Sequence, residues 1–275
     1  MQQFKRQEIT EKLSCLFLLE QTMKISEEKI LFDAVRSKAE EILGDAPGCH
    51  DFAHTLRVLK NAERILAGEQ HTDFEGLAVR LAALLHDIAR PEEMKSNGGI
   101  CHAEQGGLKA PALLRELGCR DEALIESVGK AVARHRYRGK NAPQNLIEKI
   151  VYDADKLDSI GAVGVGRAFH FAGRIGAKLH NTSEAALNSE AYSEEDSAYR
   201  EYLVKLRSVP ERMLTVTGRK LAKERAAFMH EFFRRMNEEC DSEQSVSRSP
   251  ISSGTRKNQK KKDFLHFPPL TLLLL

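Results

Sequence analysis

Leu81-Ala-Ala-Leu-Leu-His-Asp-Ile-Ala-Arg90 sets an imidazole and a carboxylate at the end of an unbroken apolar run. Folding buries such a run, and a buried carboxylate is costly unless a cation or well-formed hydrogen bonds compensate it. The stretch therefore predicts a central helix, from about Phe74 to Ala89, whose last turn carries a charge in need of a partner and which Pro91 ends. Chance gives about 0.4 His-Asp pairs for 10 His and 12 Asp in 275 residues, and the chain has two, so spacing and context must decide their meaning.

Helical periodicity surrounds this segment. Ile25, Ile30, Leu31, Ala34, Val35, Ile42 and Leu43 mark a first helix, with Ser26 placed to cap it and Gly44 to stop it. Asp51 can cap a second, on which His54, Val58, Ala62 and Ile65 share one face before Gly68. His50 reads as a helix-start residue. Beyond Pro91, Ala103–Leu117 is helical with weak points at Gly106, Gly107 and Pro111, and Asp121 caps a helix whose stripe Leu124, Val128, Ala131, Val132 leads to His135. After Pro143 a further helix places Ile147, Val151, Asp155 and Asp158 on one line. A polar loop over about 180–197 and two more helical patterns, about 198–209 and 213–239, follow. No alternating pattern of useful length suggests a strand, so the expected fold is all-α, a helical bundle.

A lone histidine on an apolar face is usually a core imidazole satisfied by a backbone carbonyl. Here separate helices bring His54, His86 with Asp87, His135 and Asp155 to buried faces, and His102 opens another. Their desolvation costs accumulate, and one shared divalent cation relieves them together. Asp153, Asp155 and Asp158 would be a solvated acidic face if their neighbours were polar, but the neighbours are Val151, Ala154 and Leu157. Arg57, one turn after His54, and Arg90, just after Asp87, are candidates either to hold a phosphate through bidentate guanidinium contacts or to form structural salt bridges. Lys156 reads as a surface or ion-pair residue.

His54 with Arg57-Val58, Leu85-His86-Asp87-Ile88 and Asp153-Ala-Asp-Lys-Leu-Asp158 together resemble the HD superfamily of metal-dependent phosphohydrolases. Residues from about 50 to 239 are similar to a subgroup of small, mostly uncharacterised HD hydrolases, including Met213-Leu-Thr-Val-Thr-Gly-Arg-Lys-Leu-Ala222 and Glu224-Arg-Ala-Ala-Phe-Met229. Carried over by motif, the resemblance implies metal ligands at His54, His86, Asp87 and Asp155, with Asp87 also the catalytic carboxylate. Asp153 competes with Asp155 for the last ligand, and Asp158 becomes a substrate-side or outer group. Relatives with two metals use extra histidines in the interval that His102 and His135 occupy here. Such relatives often pair histidines at the later position, where this chain has His135-Arg136, so one firm metal and an optional second are expected.

That ligand set suits Mn, Co, Fe, Ni or Zn. The implied activity is hydrolysis of a phosphate ester, as a phosphomonoesterase or phosphodiesterase, on a nucleotide or other small phosphorylated metabolite. The alternative is a catalytically silent module that binds a nucleotide. Gly161-Ala-Val-Gly-Val-Gly166 follows no strand and is not read as a dinucleotide loop.

Composition bounds the rest. The net charge is +2, but residues 241–275 carry six basic against three acidic side chains, so the body is near neutral and offers no basic nucleic-acid surface. Five cysteines at 15, 49, 101, 119 and 240, without a Cys-x-x-Cys, read as reduced structural thiols in a cytoplasmic protein. No window reaches the 18 or so apolar residues of a membrane span. The expected organisation is a loosely attached extension over 1–22, the HD domain over 23–240, and a disordered basic and apolar tail over 241–275.

Overall fold

The computed structural model describes residues 2–44, 50–96, 98–137 and 141–240, with side chains described from residue 23 onward. The tail over 241–275 therefore lies outside the described residues. Among those described, every regular element is helical and there is no strand, as the periodicity requires. No helix among them is long and apolar enough to cross a membrane. Cys101, Cys119 and Cys240 are free thiols.

By internal contacts the chain divides into two compact units. The first takes residues up to Pro91 and then His102–Ala154. It holds α1 (Gln2–Leu43), α2 (Phe52–Leu66), α3 (Asp73–Leu85), α5 (His102–Glu116), α6 (Glu122–Arg134) and most of α7 (Leu146–Asp158), while the short α4 (Arg90–Lys95) begins where it breaks off. α3 is the hub, because α1, α2 and α6 all pack on it. After Arg80 its residues are all apolar, and Leu81, Ala82, Ala83, Leu84 and Leu85 are fully buried. Thr72 and Glu75 form a reciprocal capping box at its start.

α1 stops at Gly44, whose N–H bonds the Glu40 carbonyl at 2.7 Å. Its expected apolar stripe is only partly buried: Val35, Ala39 and Leu43 are enclosed, whereas Ile25 and Ile30 are both 67% exposed. The helix also runs through Ser26 without a cap, being continuous from Gln2. Pro91 likewise acts differently from its reading as a stop. α3 already ends at Leu85, and Pro91 lies in the first turn of α4, where its missing N–H costs nothing.

The weak points read in α5 serve packing. α5 stays helical through Pro111, and α6 packs closely on it. A Cβ on Gly107 would lie 2.6 Å from the Ala133 Cβ, and one on Gly129 would lie 2.7 Å from Pro111 Cγ. Each helix thus presents a glycine to the other's bulk.

The second unit, residues 92–101 and those from Asp155 on, holds α8 (Gly161–Arg174), α9 (Ser183–Asn188), α10 (Ala198–Val204), two 3₁₀ turns (Leu206–Ser208 and Pro210–Arg212) and α11 (Val216–Glu239). α8 packs on α10 and α11, and α9 on α10. The segment read as a plain polar loop therefore contains α9, capped by Thr182, whose hydroxyl accepts from the Ala185 N–H at 3.2 Å.

Replacing either close-approach glycine tests the α5–α6 contact. Alanine normally gains about 1 kcal/mol over glycine inside a helix, but overpacking costs about 1–3 kcal/mol. Gly107→Ala and Gly129→Ala are each expected to lower unfolding stability in urea, and a stabilised variant would contradict the packing described.

Candidate metal centre

Four helices of the first unit deliver five polar side chains to one buried point. Asp51 caps α2 by accepting the His54 N–H at 2.9 Å, which fixes the first turn that presents the His54 ring. α3 ends at Leu85, so His86 is its C-cap and Asp87 the next residue. His102 opens α5, and His135 is the C-cap of α6. His54, His86, Asp87, His102 and His135 are all at most 2% exposed.

Asp87 stands at the centre. Its Oδ2 lies 3.6 Å from His86 Nε2 and 3.7 Å from His54 Nε2, and its Oδ1 lies 3.2 Å from His102 Nε2 and 3.7 Å from His135 Nε2. His54 Nε2 is 3.2 Å from His86 Nε2, and His102 Nε2 is 3.2 Å from His135 Nε2. Two ligand atoms about 2.1 Å from a common ion at about 90–120° to one another are about 3.0–3.6 Å apart, so these spacings are those of donors around a shared cation. Oδ1 of Asp87 is buried and makes no hydrogen bond of acceptable geometry despite the two nearby nitrogens. Such an orphaned anionic oxygen amid imidazoles fits a divalent cation.

Ring orientation supports the same reading. His86 Nδ1 lies 2.8 Å from the Ala83 carbonyl and His135 Nδ1 lies 2.7 Å from the Val132 carbonyl. A carbonyl only accepts, so Nδ1 is the protonated nitrogen in each ring, and Nε2 presents a lone pair when the ring is neutral. This is how metal-binding imidazoles are commonly oriented. His102 differs. Arg136 Nη1 sits 3.3 Å from its Nδ1, and a guanidinium donating there leaves the ring proton on Nε2.

Burial opposes ionisation of Asp87, but attraction to His86 and Arg90, with contacts from His102 and His135, outweighs it and holds the carboxyl well below the usual carboxylate range. The compensating charge is carried either by protons on the rings or by a cation that displaces them. His50 lies at the edge of this group, its Nδ1 3.1 Å from Asp87 Oδ2 and 3.2 Å from Arg90 Nη2. Burial lowers the His50 pKa to about 4, so its ring is neutral near pH 7.

Of the other residues singled out in the sequence, Arg90 faces the cluster, with Nε 3.5 Å from Asp87 Oδ2. Arg57 is half-buried on α2, one turn after His54. Asp153 is fully buried in the first unit. Asp155 opens the later segment of the second unit, half-buried on α7, with a carboxylate oxygen 2.7 Å from Lys156 Nζ, which matches the ion-pair reading of that lysine. Asp158 accepts from Arg167 Nη1 at 2.7 Å within the second unit.

Sequence reasoning missed three participants. His50 and Arg136 carry no periodic signal, since each lies just outside a helix. Glu148 looked like an ordinary acidic residue of the first turn of α7, yet it is 1% exposed and accepts from Arg134 Nη1 at 2.9 and 2.7 Å, from the Gln144 N–H at 2.7 Å and from Asn145 Nδ2 at 3.2 Å. It thereby ties the end of α6, next to His135, to the start of α7.

Residues 51–160 match the HD domain family. YpgQ of Bacillus subtilis (strain 168), an uncharacterized protein, is 33% identical over 221 residues, which cover 75% of this chain and 92% of YpgQ. The chain belongs to the HD-domain family. Among solved structures, B. subtilis YpgQ in complex with ADP is similar at a TM-score of 0.59 and 28% identity, over 77% of this chain and 96% of that one. A predicted HD superfamily hydrolase from an uncultured Thermotogales bacterium is similar at a TM-score of 0.51 and 32% identity, over 76% of this chain and 91% of that one. The HD domain here thus has the family's fold and His/Asp groups able to hold a divalent cation, and family membership supports a metal-dependent hydrolase.

If a cation replaces protons on the rings, protons compete with it for the same nitrogens and its binding must weaken as the pH falls. Manganese titrations are expected to show affinity falling at least tenfold from pH 8 to pH 6, with protons released into the buffer. An affinity unchanged over that interval would contradict the exchange.

Proposed function

We propose that this HD domain hydrolyses a phosphate ester of a nucleotide or other small phosphorylated metabolite, with one firm cation held by His54, His86, Asp87 and Asp155. The observation that carries the reading is the buried Asp87 carboxylate beside His86, whose proton is fixed on Nδ1 by the Ala83 carbonyl, so that its Nε2, 3.6 Å from Asp87 Oδ2 and 3.2 Å from His54 Nε2, presents a lone pair when the ring is neutral. Asp155 is assigned from the helix that carries it. Asn61, two turns after His54 on α2, donates from Nδ2 to the Ala154 carbonyl at 3.1 Å, which holds α7 to the His54 face of α2 immediately before Asp155.

Mn, Co, Fe, Ni or Zn bound there would lower the pKa of a coordinated water and draw charge from a phosphoryl oxygen. The chain's own residues supply the remainder. Arg90 and Arg57 are assigned to the phosphate oxygens, the former already beside Asp87. Asp87 is the catalytic carboxylate as well as a ligand. His102 and His135 form the optional second position, and Arg136 on His102 Nδ1 favours a substrate-side role for His102, as a hydrogen-bond donor through Nε2. Water adds to phosphorus, the ester P–O bond breaks, and the leaving oxygen takes up a proton. Asp158, bound to Arg167, is assigned an outer role.

A silent nucleotide-binding module is the second reading, favoured by the ADP bound in the YpgQ structure. A phosphate-release screen over nucleotides and sugar phosphates, on protein loaded in turn with each of the five metals, separates the two. Hydrolysis lost in His86→Ala and in Asp87→Ala together with the metal supports the enzyme, and ADP binding with no turnover of any phosphoester supports the module.

The last ligand is tested separately. Asp155→Asn removes a charged oxygen donor at constant shape and is expected to weaken manganese binding by more than the roughly 10–100-fold typical of an outer partner, with Asp153→Asn doing much less. Finding Asp153→Asn the weaker binder would move the ligand to that residue.

A further inference from the structure

The second unit has a concave surface of its own, built by α10, the two 3₁₀ turns and α11. A hollow of about 470 Å³ opens there, within the range of about 300–1,000 Å³ that small-molecule sites occupy. Its apolar floor is formed by Tyr202, Leu206 and Met229, all buried. The Tyr202 ring is fixed from behind by Phe233, stacked at 4.6 Å between centroids, so this floor is preformed. Ala226 and Ala227 of α11 add only small side chains to its lining.

The rim is cationic. Arg207, Lys223 and Arg219 line it against a single acid, Glu211. Arg219 is committed to the Met213 carbonyl at 2.9 Å. Arg207 and Lys223 have neither a hydrogen-bond nor a carboxylate partner among the described residues. The contrast lies on the same helix: further along α11, Arg234 and Arg235 are both paired with Glu231. A solvated rim would account for one unpaired cation. Two beside a preformed apolar floor match a molecule that carries both an anionic group and an apolar body.

We propose that this groove is a second binding site, composed only of residues outside the metal centre, for a small organic anion whose apolar body lies on Tyr202, Leu206 and Met229 and whose charged group engages Arg207 and Lys223. A phosphate and a carboxylate share this chemistry.

The probe is 1-anilinonaphthalene-8-sulfonate, an aromatic body with one anionic group, titrated into the full-length protein beside the uncharged N-phenyl-1-naphthylamine. One saturable site is expected for the sulfonate, with affinity at least tenfold lower in Lys223→Glu and in Arg207→Glu and lost when Ala226→Trp fills the hollow. The uncharged dye should bind more weakly and ignore the two charge reversals. Helical circular dichroism and manganese stoichiometry should be unchanged in the charge variants, which lie on the surface and keep the test valid if the tryptophan variant misfolds. Displacement of the dye by phenyl phosphate identifies a phosphoryl ligand, and displacement by phenylacetate alone identifies a carboxylate. No saturable binding, equal binding of the two dyes, indifference to both charge reversals, or displacement by neither anion would each overturn the site.

Discussion

A carboxylate that ends the most deeply buried helix governs the first unit. Asp87 is 1% exposed and follows the C-terminus of α3, where the partial negative charge of the helix further disfavours an anion. Both costs act on one residue, and neither is relieved by hydrocarbon. The unit responds by aiming His54, His86, His102 and His135, with Arg90 behind them, at that carboxylate. Such a concentration of donors would be poor design for stability alone, because apolar side chains of equal volume would fill the space at lower cost. It is reasonable where a cation binds.

The supporting helices hold these donors in register. α5 and α6 meet at glycine, which brings the two helices carrying His102 and His135 close enough for their Nε2 atoms to stand 3.2 Å apart. Glu148 fixes the other side of α6. With four acceptor contacts and almost no solvent, its carboxylate is satisfied as a buried charge must be, and the Arg134 guanidinium that it grips directly precedes His135. The backbone then completes the arrangement by orienting the His86 and His135 rings through carbonyls one turn back in their own helices.

Much of this was legible in the sequence because its signals are local. The Asp51 and Asp121 caps, the Gly44 stop and the apolar faces of α2, α3 and α6 depend on residues within a turn or two, and the helices follow them. Pro91 was ambiguous because proline both terminates a helix and favours the first turn of the next. Ile25 and Ile30 lie on the predicted stripe but are not buried by any helix among the described residues, a matter that periodicity cannot see. The metal-centre histidines were visible as polar residues on apolar faces. His50, Arg136 and Glu148 were not, since their roles depend on where helices distant in the chain end.

The two oxygens of Asp87 face chemically different surroundings. Oδ2 faces His86, whose donor lone pair is set by the Ala83 carbonyl, and His54. Oδ1 faces His135, set in the same way by Val132, and His102, whose Nδ1 is occupied by a guanidinium. A cation on the Oδ2 side therefore finds at least one imidazole already in the required tautomer, while full ligation on the Oδ1 side requires Arg136 to leave His102 first. That asymmetry gives a physical reason for cation affinity to differ between the two oxygens, since only on the Oδ1 side does a guanidinium occupy an imidazole nitrogen.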